Sequence, residues 1–206
     1  MHPLDHILWA APDLDPAAQA FAEATGVTPA GGGSHPGFGT RNRLAGLGGD
    51  HYFEVISVDP AQRDLGDRAR RIAALARPEL HTFAVRGTDV AGFRDLARGL
   101  GLATAEPVAM SRMRGDGVLL RWRVVTVADP HWGDMLPFLI DWMDSEHPSA
   151  TAPADCTLRE FCALHPEAEA LATIYDALGV TVPVRRAPRP GFLLRLESPR
   201  GEVILT

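Results

Sequence analysis

Residues 4–10 read Leu-Asp-His-Ile-Leu-Trp-Ala, and residues 11–26 continue APDLDPAAQAFAEATG. The first stretch is an apolar, strand-like run. The second carries the marks of a helix. Asp15 can cap it, Pro16 suits its first position, and Ala18, Phe21 and Ala22 repeat at helical spacing. Gly26 falls where a left-handed terminal residue is wanted. The same plan returns from Leu80 (LHTFAV, then RGTDVAGFRDLARGLG) and from Leu158 (LREFCA, then LHPEAEALATIYDALG). There Thr88 caps the second helix and Pro166 opens the third. Phe93, Leu96 and Leu100, and Leu171, Ile174 and Leu178, form the matching stripes, and Gly101 and Gly179 close the two helices.

Each helix is followed by strand-like runs parted by turn residues. In the first unit these are a strand start at Val27-Thr28-Pro29 and then residues 39–47 and 51–58, joined by Gly48-Gly49-Asp50. In the second they are about 106–114, 118–127 and 136–142, with Gly115-Asp116-Gly117 as a hairpin turn. In the third they are 182–187, 192–197 and 202–205 around Pro199-Arg200-Gly201. The chain order is therefore βαβββ, three times, which predicts an α+β fold and excludes a doubly wound sheet. The units fall at about 1–60, 79–144 and 156–206. An amphipathic helix is expected within 61–77, and the small, polar, Pro-bearing segment 145–155 is a linker.

The 206 residues are 46% hydrophobic and 22% charged, enough to bury a core and ordinary for a globular protein. A net charge of −6 argues against nucleic acid or an anionic membrane as partner. All 20 basic residues are Arg, which excludes Schiff-base and P-loop lysine chemistry. Cys156 and Cys162 fit neither a metal-binding nor a disulfide framework. The N-terminus lacks a signal-peptide pattern, and no stretch is long and apolar enough to span a bilayer. A cytoplasmic protein is the expectation.

Chemistry-bearing residues recur at matching places. His6 lies in the first strand of unit one and His81 in the first strand of unit two; Glu160 takes that place in unit three. Glu54 lies in the last strand of unit one (HYFEVISV) and Asp141 in the last strand of unit two (LPFLIDW). Two imidazoles and two carboxylates suit a divalent ion such as Zn, Ni, Fe or Mn. The alternative is that the carboxylates lie on a solvated sheet face and the histidines are hydrogen-bonded in the core. Glycines in GGGSHPGFGTRNRL (residues 31–44) lack the GK[ST] of a phosphate loop. Arg121 and Trp122 alternate sides of one strand. His131 and His147 sit in Pro-flanked loops and are expected at the surface. Cys162, in an apolar strand, is expected in the core.

With these residues in register, the sequence resembles the vicinal oxygen chelate superfamily, which includes glyoxalase I, extradiol dioxygenases and bleomycin-resistance proteins. It is most similar to bacterial glyoxalase-like domain proteins. The segments that carry the resemblance are LDHILWAAPDLD, HPGFGTRNRL, YFEVISVDP, LLRWRV, PFLIDWMDSEHP and PRGEVIL. The resemblance implies two paired βαβββ modules in one 1–144 domain, forming a cupped half-barrel. It makes the third unit a half-module packed on that domain or on another subunit. It implies a metal held by His6, Glu54, His81 and Asp141, with Glu54 or Asp141 free to act as general base. It also places His35, Arg41 and Asn42 at the cavity, and Arg121 or Trp122 as further substrate contacts. Two readings of function follow. One is a metal-dependent lyase, isomerase or dioxygenase acting on a small metabolite chelated through two oxygens. The other is a non-catalytic protein that sequesters a small molecule among Trp9, Phe38, Tyr52, Trp122, Trp132 and Trp142. A homodimer exchanging modules would complete the cup as well as one chain.

Overall fold

A computed structural model describes residues 1–206. The first module comprises β1 (Leu4–Ala10), α1 (Leu14–Thr25), β2 (Ala30–His35), β3 (Thr40–Gly46) and β4 (Tyr52–Val58). After α2 (Asp67–Ala73), the second comprises β5 (Glu79–Arg86), α3 (Val90–Gly99), the short β6 (Ala103–Thr104), β7 (Val108–Met113), β8 (Leu119–Val125), the short β9 (Val127–Ala128) and β10 (Phe138–Asp141). The third unit comprises β11 (Thr157–His165), α4 (Ala168–Ala177), β12 (Val184–Arg186), β13 (Gly191–Ser198) and β14 (Gly201–Leu205).

The helix ends follow local chemistry, displaced slightly from the expected caps. Asp13, rather than Asp15, caps α1, and its side chain accepts a hydrogen bond from the Asp15 amide at 3.3 Å. Asp89, rather than Thr88, caps α3 by accepting from the Gly92 amide at 2.8 Å. Gly26 ends α1 at φ 80°, the left-handed conformation that glycine adopts without penalty. The linking helix is shorter than its pattern, because the residues ahead of it are used elsewhere. The Gln62 side chain accepts from the Gly37 and Gly39 amides and so fastens the β2–β3 turn.

The two modules share one eight-stranded sheet, ordered β2-β3-β4-β1-β5-β10-β8-β7. β1 and β5 run antiparallel at its centre; β4 is parallel to β1, and β10 is parallel to β5. Each module thus repeats the other's pairing, and one chain builds the whole cup. At its edges β2 and β7 approach each other, and an Arg112 guanidinium N–H donates to the Gly32 carbonyl. β2 begins at Ala30, just beyond the strand start expected at Val27-Thr28-Pro29, and runs through the glycines. Its glycines allow close packing on β3: a Cβ on Gly32, at φ 74°, would lie 2.2 Å from the Asn42 carbonyl oxygen.

Strand alternation sorts the side chains into two cores. Leu8, Ala10, Ile56, Ala84, Trp122, Val124, Phe138 and Ile140 face the cup. Ile7, Phe53, Val55, Phe83, Val85 and Leu139 face the convex side, where the larger core joins α1, α3 and the third unit. Phe161 and Phe192 stack at 5.5 Å, and the Phe83 ring meets both edge-on, at 5.4 and 5.8 Å. Tyr175 lies in the same cluster and donates its hydroxyl to the Met135 carbonyl. Each such buried ring stabilises the packing by about 1.5–3 kcal/mol. Cys156 and Cys162 are buried free thiols.

The third unit has the βαβββ chain order but not the module's pairing. Its sheet runs β12-β11-β13-β14, so its first strand is flanked by β12 in parallel and β13 antiparallel. In the modules the first strand pairs parallel with the last one. The third unit is a support for the convex face and not another copy of the module.

Candidate functional site

On β4, Tyr52, Glu54 and Ile56 face the cup, while Phe53 and Val55 between them face the convex core. A carboxylate on that strand is therefore committed to the cup interior. Beside it on β1 stands His6, whose Nε2 is 3.3 Å from a Glu54 oxygen. Its Nδ1 lies 2.7 Å from Asp5, which is itself fully buried. The ladder between β1 and β5 shifts register between Leu4 and His6, which leaves Asp5 outside the regular pairing. Asp5 also receives the Trp142 indole N–H at 3.3 Å and contacts His147 Nε2 and Arg86 Nε, both at 3.1 Å. From Glu54 the row continues to Asn42, whose amide N–H donates to it at 2.6 Å. The same amide group donates to His35 Nε2 at 3.3 Å, and His35 Nδ1 meets the Thr40 hydroxyl at 2.8 Å.

The charges along this row follow from its bonds. Burial disfavours the imidazolium of His6, but the hydrogen bonds to Asp5 and Glu54 outweigh it and raise its pKa. Burial also pushes Glu54 upward, but His6, with help from His35 and Asn42, holds it at about 2. Asp5 is held well below the carboxylate range by His147 and His6 against its own burial. His35 is different. Burial lowers it to about 4, and the positive charges of Arg112 and Arg68 work in the same direction against the pull of Glu54. A neutral His35 that accepts from Asn42 and donates to Thr40 fits that value. The row thus alternates: the carboxylates of Asp5 and Glu54 flank a His6 whose charged form they favour, and His35 at its end is uncharged at neutral pH.

Above it lies a cavity of about 420 Å³, within the size range of small-molecule sites. Phe38, Tyr52, Trp122, Phe138 and Trp142 supply its aromatic walls. Arg68 and Arg71 from α2, Arg112 from β7 and Asp134 supply charge near its entrance and along its side.

Of the expected ligands, His6 and Glu54 meet, but His81 and Asp141 do not join them. When Leu4 is matched to Leu80, His6 falls on Thr82 and Asp5 falls on His81. A one-residue slip reverses the face of a strand. Thr82 therefore lines the cup, while His81 sits at a second register shift of the central ladder. Its Nε2 is buried without a hydrogen-bond partner, 3.8 Å from Asp134. In the last strand, Glu54 pairs beside Leu8 and Phe138 pairs beside Ala84, so Phe138 is the counterpart of Glu54. Asp141 lies three residues further on, on the other face, paired with Arg123 at 2.5 Å. No three His, Cys, Asp or Glu side chains cluster in a metal-holding arrangement. The second module thus places a hydroxyl and a phenyl ring where the four-ligand pattern needs an imidazole and a carboxylate. This donor set does not fit that metal site.

Of the expected substrate contacts, His35, Asn42 and Trp122 line the cavity. Arg41 and Arg121 do not, since alternation turns them to the other faces of β3 and β8. Among the aromatic candidates, Phe38, Tyr52, Trp122 and Trp142 line it, whereas Trp9 and Trp132 pack against the convex core. His131 is a surface residue beside Glu167, but His147 is mostly buried and bonded to Asp5. Glu160 forms ion pairs with Arg185 and Arg195 in the third unit. Sequence reasoning missed Asp5, Arg68 and Arg112. The alternation of Val108, Met110 and Arg112 on one face of β7 was a usable signal for the last.

The sequence matches the glyoxalase-like domain family over residues 4–179, both modules and the start of the third unit. None of the curated proteins matches it. Among solved structures, a hypothetical protein from Staphylococcus aureus is similar at 11% identity and TM-score 0.69, covering 93% of this chain and 88% of its own. Methylmalonyl-CoA epimerase from Mycobacterium tuberculosis is similar at 19% identity and TM-score 0.50, covering 72% of this chain and 91% of its own. A methylmalonyl-CoA epimerase in complex with methylmalonyl-CoA and NH4+ gives 21% identity and TM-score 0.51, covering 72% and 99%. At these identities the likeness is one of fold. The paired modules, the cup between them and the sequence match agree: the chain belongs to the glyoxalase-like domain family and has the vicinal oxygen chelate fold.

Proposed function

We propose that this protein takes a small molecule into the cup and that its primary activity is ligand binding. The observation that carries this reading is the cavity itself. It is enclosed by aromatic walls, and along one side runs a pre-organised polar row from His6 to His35, backed by Asp5. Every member of the row is held by a neighbour, so a ligand meets fixed donors and acceptors and little ordering is needed on binding. Thermal shift over a library of small oxygenated metabolites, repeated with Trp122→Ala, tests it. Ligands that raise the melting temperature of the native protein are expected to lose that effect in the variant. A library that stabilises neither protein would defeat the reading.

A second reading, catalysis, is favoured by the His6–Glu54 contact at the ligand positions of the first module. Within it, His6 is the proton donor, and its bonds to Asp5 and Glu54 favour its protonated form. Metal-dependent lyase, isomerase or dioxygenase chemistry on the four-ligand pattern lacks support from the donors of the second module. Elemental analysis after incubation with Zn, Ni, Fe and Mn, with His6→Ala beside the native protein, separates the readings. One equivalent bound by the native protein and lost in the variant would restore the metal-dependent mechanism.

A further inference from the structure

We propose that the ligand of the cup is a small organic anion with an apolar body, its charged head bound by the guanidinium of Arg68. The proposal rests on the ligand-binding reading above and specifies the class of ligand.

Helix α2 carries three arginines, Arg68, Arg70 and Arg71, and they are not equivalent. Arg70 pairs with Asp67, and Arg71 pairs with Asp134. Arg68, half-buried at the cavity wall, makes no ion pair and no hydrogen bond within the chain; its guanidinium lies 4.5 Å from the centre of the Phe138 ring. Arg112 is 5% exposed and also lacks a carboxylate partner, giving only one hydrogen bond, to the Gly32 carbonyl. Both arginines line the same cavity.

The remaining charges do not neutralise them. Glu54 is already bonded to His6 and Asn42, and His6 sits between Glu54 and Asp5. Asp134 is engaged with Arg71. A guanidinium held out of bulk water without a counter-ion is costly, and its five N–H groups remain available. An oxyanion would complete the site: the flat guanidinium fork matches a carboxylate or phosphate, and the Phe138 face keeps it oriented. The body of the ligand would lie along Trp122, Trp142 and Tyr52. Phe138, which takes the place of a carboxylate in the second module, thus becomes the seat of the anion-binding arginine.

Isothermal titration with matched pairs tests this: octanoate, 3-phenylpropanoate and indole-3-acetate, each against its neutral amide, and phenyl phosphate against phenol. The anions are expected to bind at least about tenfold more tightly than their neutral partners. Arg68→Met is expected to erase that difference, weakening the acids at least about tenfold more than the amides. Arg68→Lys keeps the charge without the fork and is expected to restore part of it. The apo melting temperature of R68M should be unchanged or raised, since an unpaired cation is removed. Preference for phenyl phosphate or for the carboxylates would tell which head group the site takes. Equal binding of acids and amides would overturn the proposal while leaving ligand binding in the cup intact. Anion selectivity that survives in R68M would overturn the role of Arg68. No binding of either member of any pair, with no stabilising compound in the metabolite library, would overturn both readings.

Discussion

At the centre of the sheet, β1 presents His6, Leu8 and Ala10 to the cup, while β5 presents Thr82 and Ala84. On the flanking strands, β4 presents Glu54 and β10 presents Phe138. The backbones repeat the same pairing, but on these four strands the first module presents ionic groups and the second a hydroxyl and apolar groups. Symmetry of fold therefore did not carry symmetry of chemistry. The ionic half persists because its charges are satisfied locally, through Asp5 behind His6 and Asn42 beside Glu54. Placing a second set of carboxylates opposite would bring like charges into a low-dielectric space, at a cost that only a cation could offset. The second half avoids that cost, and in its place holds an arginine over a phenyl ring.

The sharpest way to break the comparison is to remove the residue that supports the ionic half. Asp5→Ala leaves His6, His147 and Arg86 without their common carboxylate. It is expected to destabilise the protein by about 3–5 kcal/mol. Thr82→Val, on the neutral side, removes one hydrogen bond to the Leu136 carbonyl and should cost about 1 kcal/mol. Urea unfolding of the two variants compares them directly. Similar costs would mean that the two halves contribute alike.

Next in size is a dependence on pH. His35 is held at about 4 in the folded protein against an ordinary 6.5, so the unfolded chain binds more protons between those values. Stability from this group is complete above pH 6.5 and is lost as pH falls toward 4, by up to about 3 kcal/mol. Glu54 adds a second loss at lower pH, between 4.5 and about 2, because its folded pKa is depressed. His6 acts in the opposite sense. Its pKa is raised, so its contribution is complete below 6.5 and declines as pH rises through the folded value. Denaturation measured from pH 7 to 4 should therefore show a slope that shrinks in His35→Gln. An unchanged slope would remove His35 as its source.

The comparison can also be sharpened by making the halves alike. The double substitution Thr82→His with Phe138→Glu supplies the two missing donors. It is expected to bind Zn at least about tenfold more tightly than the native chain, measured by competition with a chromophoric chelator. No gain would show that spacing across β1 and β5, and not donor identity, sets the limit. The smallest effect should come from Asp141→Asn. Its partner Arg123 is 42% exposed, so the ion pair is worth about 0–1 kcal/mol. The substitution lies outside the cup and should leave ligand affinity unaltered in the titrations described above. A clear loss of affinity would bring Asp141 back as a candidate.

Much of this architecture was legible in the residues. Strand-like runs followed by glycine-ended helices marked all three units, and Glu54 stood out as a charge inside an apolar strand. Gly31-Gly32-Gly33 concealed β2, because nothing local favours a strand there; pairing with β3 does. The third unit was legible as βαβββ in chain order, yet its pairing was not. A strand's hydrophobicity states how deeply it is buried and not which neighbour it pairs with.

The site divides along the same line. Residue identity alone determined the available chemistry: no lysine, two thiols too few and too apolar for a metal framework, and a histidine and a glutamate on strands of the first module. Only the tertiary structure decided which of these meet. A strand has a period of two, so a single residue of offset, or one register shift in the central ladder, separates a cavity-facing side chain from one that is not. That offset exchanged His81 for Thr82 at the cup, and the same alternation turned Asp141 away and left Phe138 there. The proximity of Arg68 to that ring joins α2 to β10, two elements far apart in the chain, which only the folded sheet brings together.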